Sequence, residues 1–117
     1  MPSTIAELME IQRDFDARHA TRGQSWAQGI DEGHIPVLLE LTVALAGEVG
    51  EFANIAKKIA RGDFPLATGK LELGSELADI LIYLLKLSDQ LGIDLESAFR
   101  SKLELNEKRF SQFRTER

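Results

Sequence analysis

Apolar residues recur along this chain at alternating spacings of three and four, in four segments divided by turn-forming clusters. No stretch keeps the strict period of two expected of half-buried strands, so the pattern predicts an all-α fold. The first helix should open at Thr4, whose hydroxyl can cap the backbone while Glu7, three residues on, reciprocates. It carries Ile5, Leu8, Ile11 and Phe15 inward and fades near His19. Thr21 to Pro36 holds three glycines, a proline and a lone Trp26, and reads as a connecting loop. A second helix, about Val37 to Ala60, sets Leu38, Leu41, Leu45, Glu48, Phe52, Ile55 and Ile59 in one seam, which a carboxylate therefore interrupts. Arg61 to Pro65 stop it, and a third helix is expected from near Leu71. Between Leu77 and Leu87 its apolar residues cover almost the whole circumference, with Asp79 inside the run, so it should be the most buried of the four. After Leu91-Gly92-Ile93, Asp94 can cap a fourth helix with Leu95, Phe99, Leu103, Phe110 and Phe113 as its inward stripe and Lys102 and Asn106 along it. Arg114 and Arg117 belong to a basic end that is expected to fray.

Composition narrows the function. At 117 residues the chain reads as one domain, 1–117, for which oligomerisation would help stability. Apolar residues at 44% and charged residues at 28% are ordinary globular proportions. A net charge of −5 disfavours a nucleic-acid polymer as partner, because phosphate backbones attract basic faces. With no cysteine there is no disulfide, thiolate nucleophile or zinc–sulfur site. The first residues lack the basic and apolar regions of a signal peptide, and no apolar run reaches the roughly 20 residues a bilayer needs. A cytoplasmic location without a membrane partner is the expectation.

Acidic residues three apart share a helix face, and four pairs do so: Glu7/Glu10, Glu48/Glu51, Glu76/Asp79 and Glu104/Glu107. The first and last have polar neighbours and read as solvated faces. The middle two differ, since Glu48 holds a seam position and Asp79 lies among large aliphatics, where an unpaired carboxylate would be costly. Several acids converging on one place are best neutralised by a divalent cation. Oxygen ligation without histidine or cysteine favours Mg²⁺, with Mn²⁺ able to substitute, over zinc. Gly47 and Gly50 flank Glu48 inside a helix, which suggests close approach of another helix or of a hydrated metal. Asp31-x-x-His34 is only a loop near-miss to a metal motif, and His19 and His34 read as surface or loop residues.

Leu45-Ala-Gly-Glu-Val-Gly-Glu-Phe52 followed by Glu76-Leu-Ala-Asp79-Ile-Leu-Ile-Tyr83, with 24 residues between Glu51 and Glu76, resembles the E-x-x-E and E-x-x-D pair of the all-α nucleotide pyrophosphatases, the MazG-like group. Leu91-Gly-Ile-Asp-Leu-Glu, then Lys102, Asn106, Arg109 and Phe110, is similar to that family's closing helix, and the resemblance covers about residues 37–110. It implies a four-helix bundle completed by oligomerisation, as a homodimer or homotetramer. It implies Mg²⁺-dependent hydrolysis of a (deoxy)nucleoside triphosphate between its α and β phosphates, giving a monophosphate and pyrophosphate, a reaction suited to nucleotide-pool cleansing. Glu48, Glu51, Glu76 and Asp79 would be the metal ligands, with Glu48 or Glu51 also activating water. Lys102, Asn106 and Arg109 would hold the polyphosphate, Lys57 being a weaker candidate.

Two aromatic residues are placed for base stacking. Trp26 in the long loop can either stack or anchor the loop, and Tyr83 lies one turn after Asp79 on the carboxylate face. Two rivals stand beside the main reading: a phosphoribosyl-ATP pyrophosphohydrolase on the same scaffold, and a non-catalytic helical adaptor.

Overall fold

The computed structural model describes residues 3–115. Thr4 and Glu7 form the expected capping box at the start of α1 (Ile5–Ala17), the Thr4 hydroxyl accepting from the Glu7 backbone N–H at 3.1 Å. The chain then makes a turn that the apolar pattern did not announce. β1 (Ala20–Thr21) and β2 (Gln24–Ser25) pair antiparallel, Thr21 opposite Gln24, around Arg22 and Gly23 with φ of 53° and 81°. Positive φ at both central residues gives the twist a two-residue hairpin needs. Strands of two residues are too short for an alternation of period two, so the segment expected to be plain loop carries a hairpin.

α2 (Ile35–Ala60) begins two residues before the expected Val37, with Pro36 in its first turn, where a missing N–H costs nothing. Its seam forms as the spacing predicts: Ile55 is buried, and Leu38, Leu41, Leu45, Glu48, Phe52 and Ile59 are partly buried. α3 (Leu66–Leu91) opens directly after Pro65, five residues before the expected Leu71. Packing overrides propensity there. Gly69 is buried against the end of α2, and a Cβ on it would lie 2.7 Å from Ile59 Cδ1 and 2.8 Å from Phe64 Cε2. α4 (Leu95–Arg109) is capped by Asp94, which accepts from Ser97 N–H at 3.0 Å, and a single 3₁₀ turn (Ser111–Phe113) follows. Arg114 pairs with Glu107 at 2.8 Å, while Arg117 lies outside the described residues.

α2 and α3 form the central helical hairpin, α1 packs on α3, and α4 touches α1. The fold is all-α apart from the small hairpin. Its interior is thin: among the described residues only Val37, Ile55 and Leu85 are buried apolar side chains. Toward its C-terminal end α3 is buried on opposite sides, at Leu85 and Ser88 on one and at Lys86 and Gln90 on the other, yet it leaves Leu77, Leu81 and Leu84 open. Ile11 is 63% exposed, and Phe99, Leu103 and Phe113 are also open, so parts of the stripes expected to point inward have nothing to cover them within one chain. Among the described residues no helix is long and apolar enough to cross a membrane.

Candidate metal and substrate site

Three of the four expected ligands meet. Glu76 and Asp79 share a face of α3, and the seam of α2 turns Glu48 toward them. One carboxylate oxygen of each lies within 4.8 Å of the others, and all three residues are partly buried. The Glu48 carboxyl is held above the usual carboxylate range, first by partial burial, then by its hydrogen bond with Glu76 and by repulsion from Asp79, Glu76 and Glu51. Glu76 Oε2 is buried and meets no donor. An orphaned acceptor in a crowd of acids is what a hard cation would satisfy, so these residues fit a divalent ion of the Mg²⁺ class. Glu51 stands outside the trio, exposed on the next turn of α2, close enough to add to the repulsion at Glu48. The expected quartet is therefore a trio with a neighbour. Gly47 and Gly50 do not mark a close approach within the chain, because a Cβ on either would meet nothing within 4 Å.

A pocket of about 800 Å³ opens beside the trio, with Glu48 and Asp79 in its wall. Asp79, Tyr83, Lys86 and Gln90 recur turn by turn on one face of α3 and all line it. At 1.5 Å per residue, Lys86 lies roughly 10 Å and Gln90 roughly 16 Å beyond Asp79 along the helix. Val37, Leu41, Ala44 and Ile82 supply apolar wall, and the hairpin with Trp26 closes one side. Tyr83 thus stands where its spacing from Asp79 predicts. Trp26 both lines the pocket and anchors the hairpin, its indole N–H donating to Thr21 Oγ1 at 2.7 Å. Its ring stacks on His19 at 4.8 Å, and His19 stacks on Phe15 at 4.3 Å. His19 is therefore the middle of a three-ring stack rather than an ordinary loop residue. His34 stands at the N-cap of α2, its ring 2.7 Å from the Asp31 carboxylate.

No α4 residue lines this pocket among the described residues. Lys102 and Arg109 are exposed and Asn106 is half-buried, with the Arg109 guanidinium 4.9 Å above the Phe110 ring. Lys57, exposed near the end of α2, does not line it either. None of these four candidates lines the pocket that opens beside the acids.

The sequence reading missed a buried ion pair in the same pocket. Lys86 Nζ lies 2.9 Å from Asp16 Oδ2, both side chains being nine-tenths or more buried, and it also donates to the Trp26 carbonyl at 3.1 Å. Gln12 Nε2 donates to Asp16 Oδ1 at 3.0 Å. Gln90 Nε2 donates to the Gln28 carbonyl at 2.7 Å, while its buried Oε1 meets no donor. The available signal was Lys86 itself, a charge inside an apolar run, the same anomaly that singled out Asp79.

The family described as the MazG nucleotide pyrophosphohydrolase domain matches residues 38–112. dCTP pyrophosphatase 1 of Homo sapiens is 37% identical over 112 residues, covering 92% of this chain and 59% of that protein. Its Bos taurus counterpart is 39% identical over 111 residues, again covering 92% of this chain and 59% of that protein. The Gene 37 protein of Mycobacterium phage L5 is 35% identical over 65 residues, covering 54% of this chain and 57% of that protein. This chain thus spans 59% of the length of the two mammalian relatives. No solved structure matches it significantly. With the paired acids, the helical hairpin that joins them and the match over most of the chain in agreement, this chain belongs to the MazG nucleotide pyrophosphohydrolase domain family.

Proposed function

We propose that the chain hydrolyses a (deoxy)nucleoside triphosphate between its α and β phosphates, releasing a nucleoside monophosphate and pyrophosphate. The observation that carries this is the convergence of Glu48, Glu76 and Asp79 at the edge of a nucleotide-sized pocket. These three, with Glu51 beside them, would hold Mg²⁺, or Mn²⁺ in its place. A bound divalent ion supplies charge neutralisation for the phosphates and for the leaving group. The chain's own part is to orient a water in line with the bridging P–O bond and to take its proton, a role for Glu48 or Glu51. As the water oxygen bonds to phosphorus, the bridging P–O bond breaks and its electron pair leaves on the departing phosphate oxygen. Tyr83 and Trp26 face the nucleoside. Two relatives are named for dCTP, so dCTP is the first substrate to test. Nucleotide-pool cleansing in the cytoplasm is the setting such a reaction would serve.

Lys102, Asn106 and Arg109 enter this reading as phosphate ligands supplied by a second copy of the chain, in a homodimer or homotetramer. The open apolar faces of α3 and α4 support such an assembly. The deciding experiment incubates the protein and Mg²⁺ with canonical and modified nucleoside triphosphates and with phosphoribosyl-ATP, resolving monophosphate plus pyrophosphate from diphosphate plus orthophosphate. Cleavage of phosphoribosyl-ATP in preference to every free triphosphate would favour the phosphoribosyl-ATP pyrophosphohydrolase. No cleavage under any metal would favour an adaptor.

A further inference from the structure

We infer that Lys86, fixed by Asp16, and Gln90 one turn beyond it are specificity-determining residues that read the hydrogen-bonding edge of the nucleobase. This rests on the acid trio being the phosphate end of the pocket. A buried ion pair is weak as a source of stability, since apolar residues of the same volume often do as well, so its place in a ligand cavity calls for another account. Lys86 has three N–H donors, of which Asp16 Oδ2 and the Trp26 carbonyl take two. The third is uncommitted, and Lys86 lines the pocket. Asp16 is itself held on one oxygen by Gln12 and on the other by Lys86, which fixes the ammonium in place and balances its charge. A balanced charge suits an uncharged base edge better than a phosphate.

Gln90 supplies the complementary half. The Gln28 carbonyl can only accept, so the amide nitrogen of Gln90 must face it, and Oε1 is left as a buried acceptor without a donor in the same pocket. A donor and an acceptor on successive turns of one helix face, both lining the pocket, can converge on a base edge, which presents an acceptor and an N–H side by side. Lys86 stands roughly 10 Å along α3 from Asp79, which leaves room for a sugar between phosphates and base. Phe15 and Trp26, both lining the pocket, offer ring faces for the base plane.

The test compares Lys86→Met, Gln90→Met and the double Asp16→Asn/Lys86→Gln, which removes both buried charges together, with the unmodified protein. For the four canonical deoxynucleoside triphosphates it reads kcat/KM, and for their non-hydrolysable α,β-imido analogues it reads Kd by calorimetry with Mg²⁺. The expected result is loss of roughly tenfold or more of the discrimination between best and worst base, with the worst base handled as before. Should Lys86→Met fail to fold, the other two variants carry the test. A uniform fall for all four bases, an unchanged ratio, or an unmodified protein that binds all four analogues alike would overturn the inference. If the unmodified protein cleaves no triphosphate yet binds the analogues base-selectively, and the variants lose that selectivity, the proposed activity fails and the base site stands.

Discussion

Carboxylates crowded as Glu48, Glu76 and Asp79 are repel one another unless a proton or a cation intervenes. Glu48→Gln or Asp79→Asn should therefore lower pyrophosphate release by at least about a hundredfold, the scale on which single electrostatic groups act at such sites. The metal-free variants should melt no lower than the parent, because a repulsion is relieved. Collapse of the metal-free variants in circular dichroism would indicate a structural ion pair instead. Chelator treatment should abolish cleavage while leaving helicity intact, and Mg²⁺ or Mn²⁺ should restore it; full turnover after exhaustive metal removal would refute the metal role. The acids were legible in the sequence because Glu48 broke an apolar seam and Asp79 an apolar run. Asp16 and Lys86 were not, since which residue of α1 faces which residue of α3 is set by the docking of two helices, and no local spacing encodes it. Glu51 fell outside the trio for a related reason: the motif fixes the helix face but not the tilt of one helix against another.

Among the elements, α3 depends most on one position. Gly69→Ala places a methyl against Ile59 and Phe64, and overpacking of this kind costs about 1–3 kcal/mol, more than the helix preference of alanine returns. Denaturant unfolding should show the net loss, and a Gly69→Ala variant as stable as the parent would contradict the close crossing of α2 and α3. At α4 the hydrogen bond from Ser97 N–H holds the Asp94 carboxyl below its ordinary 3.8. A carboxyl depressed in the folded state adds stability above its unfolded pKa, and that contribution disappears as pH falls through the folded value. The melting difference between parent and Asp94→Ala should accordingly be present near neutral pH and shrink in acid below about pH 3.8, readable by thermal melts across that range. Capping residues such as Thr4 and Asp94 were plain from sequence because capping is local chemistry. The start of α3 was not, because a buried glycine reads as a breaker until its packing partners are known.

Taken whole, the chain is too open for its size. A compact monomer of 13.0 kDa should expose roughly 6,300 Å², and this chain exposes 8961 Å². Its radius of gyration of 17.6 Å likewise exceeds the roughly 13 Å of a compact domain of this length. Sedimentation at low micromolar concentration should find a dimer or larger species, and a fully active monomer would refute the shared-site assembly. The same molecule carries a single tryptophan, and that residue lies in the pocket wall, stacked on His19 and tied to the hairpin. All indole emission therefore comes from one place, beside the proposed nucleoside. Titrating a non-hydrolysable triphosphate should change the intensity or wavelength of that emission with a single saturating curve, while a Trp26→Phe variant gives no signal. Such a response would make Trp26 an optical gauge of occupancy, one that reads binding before any bond is broken.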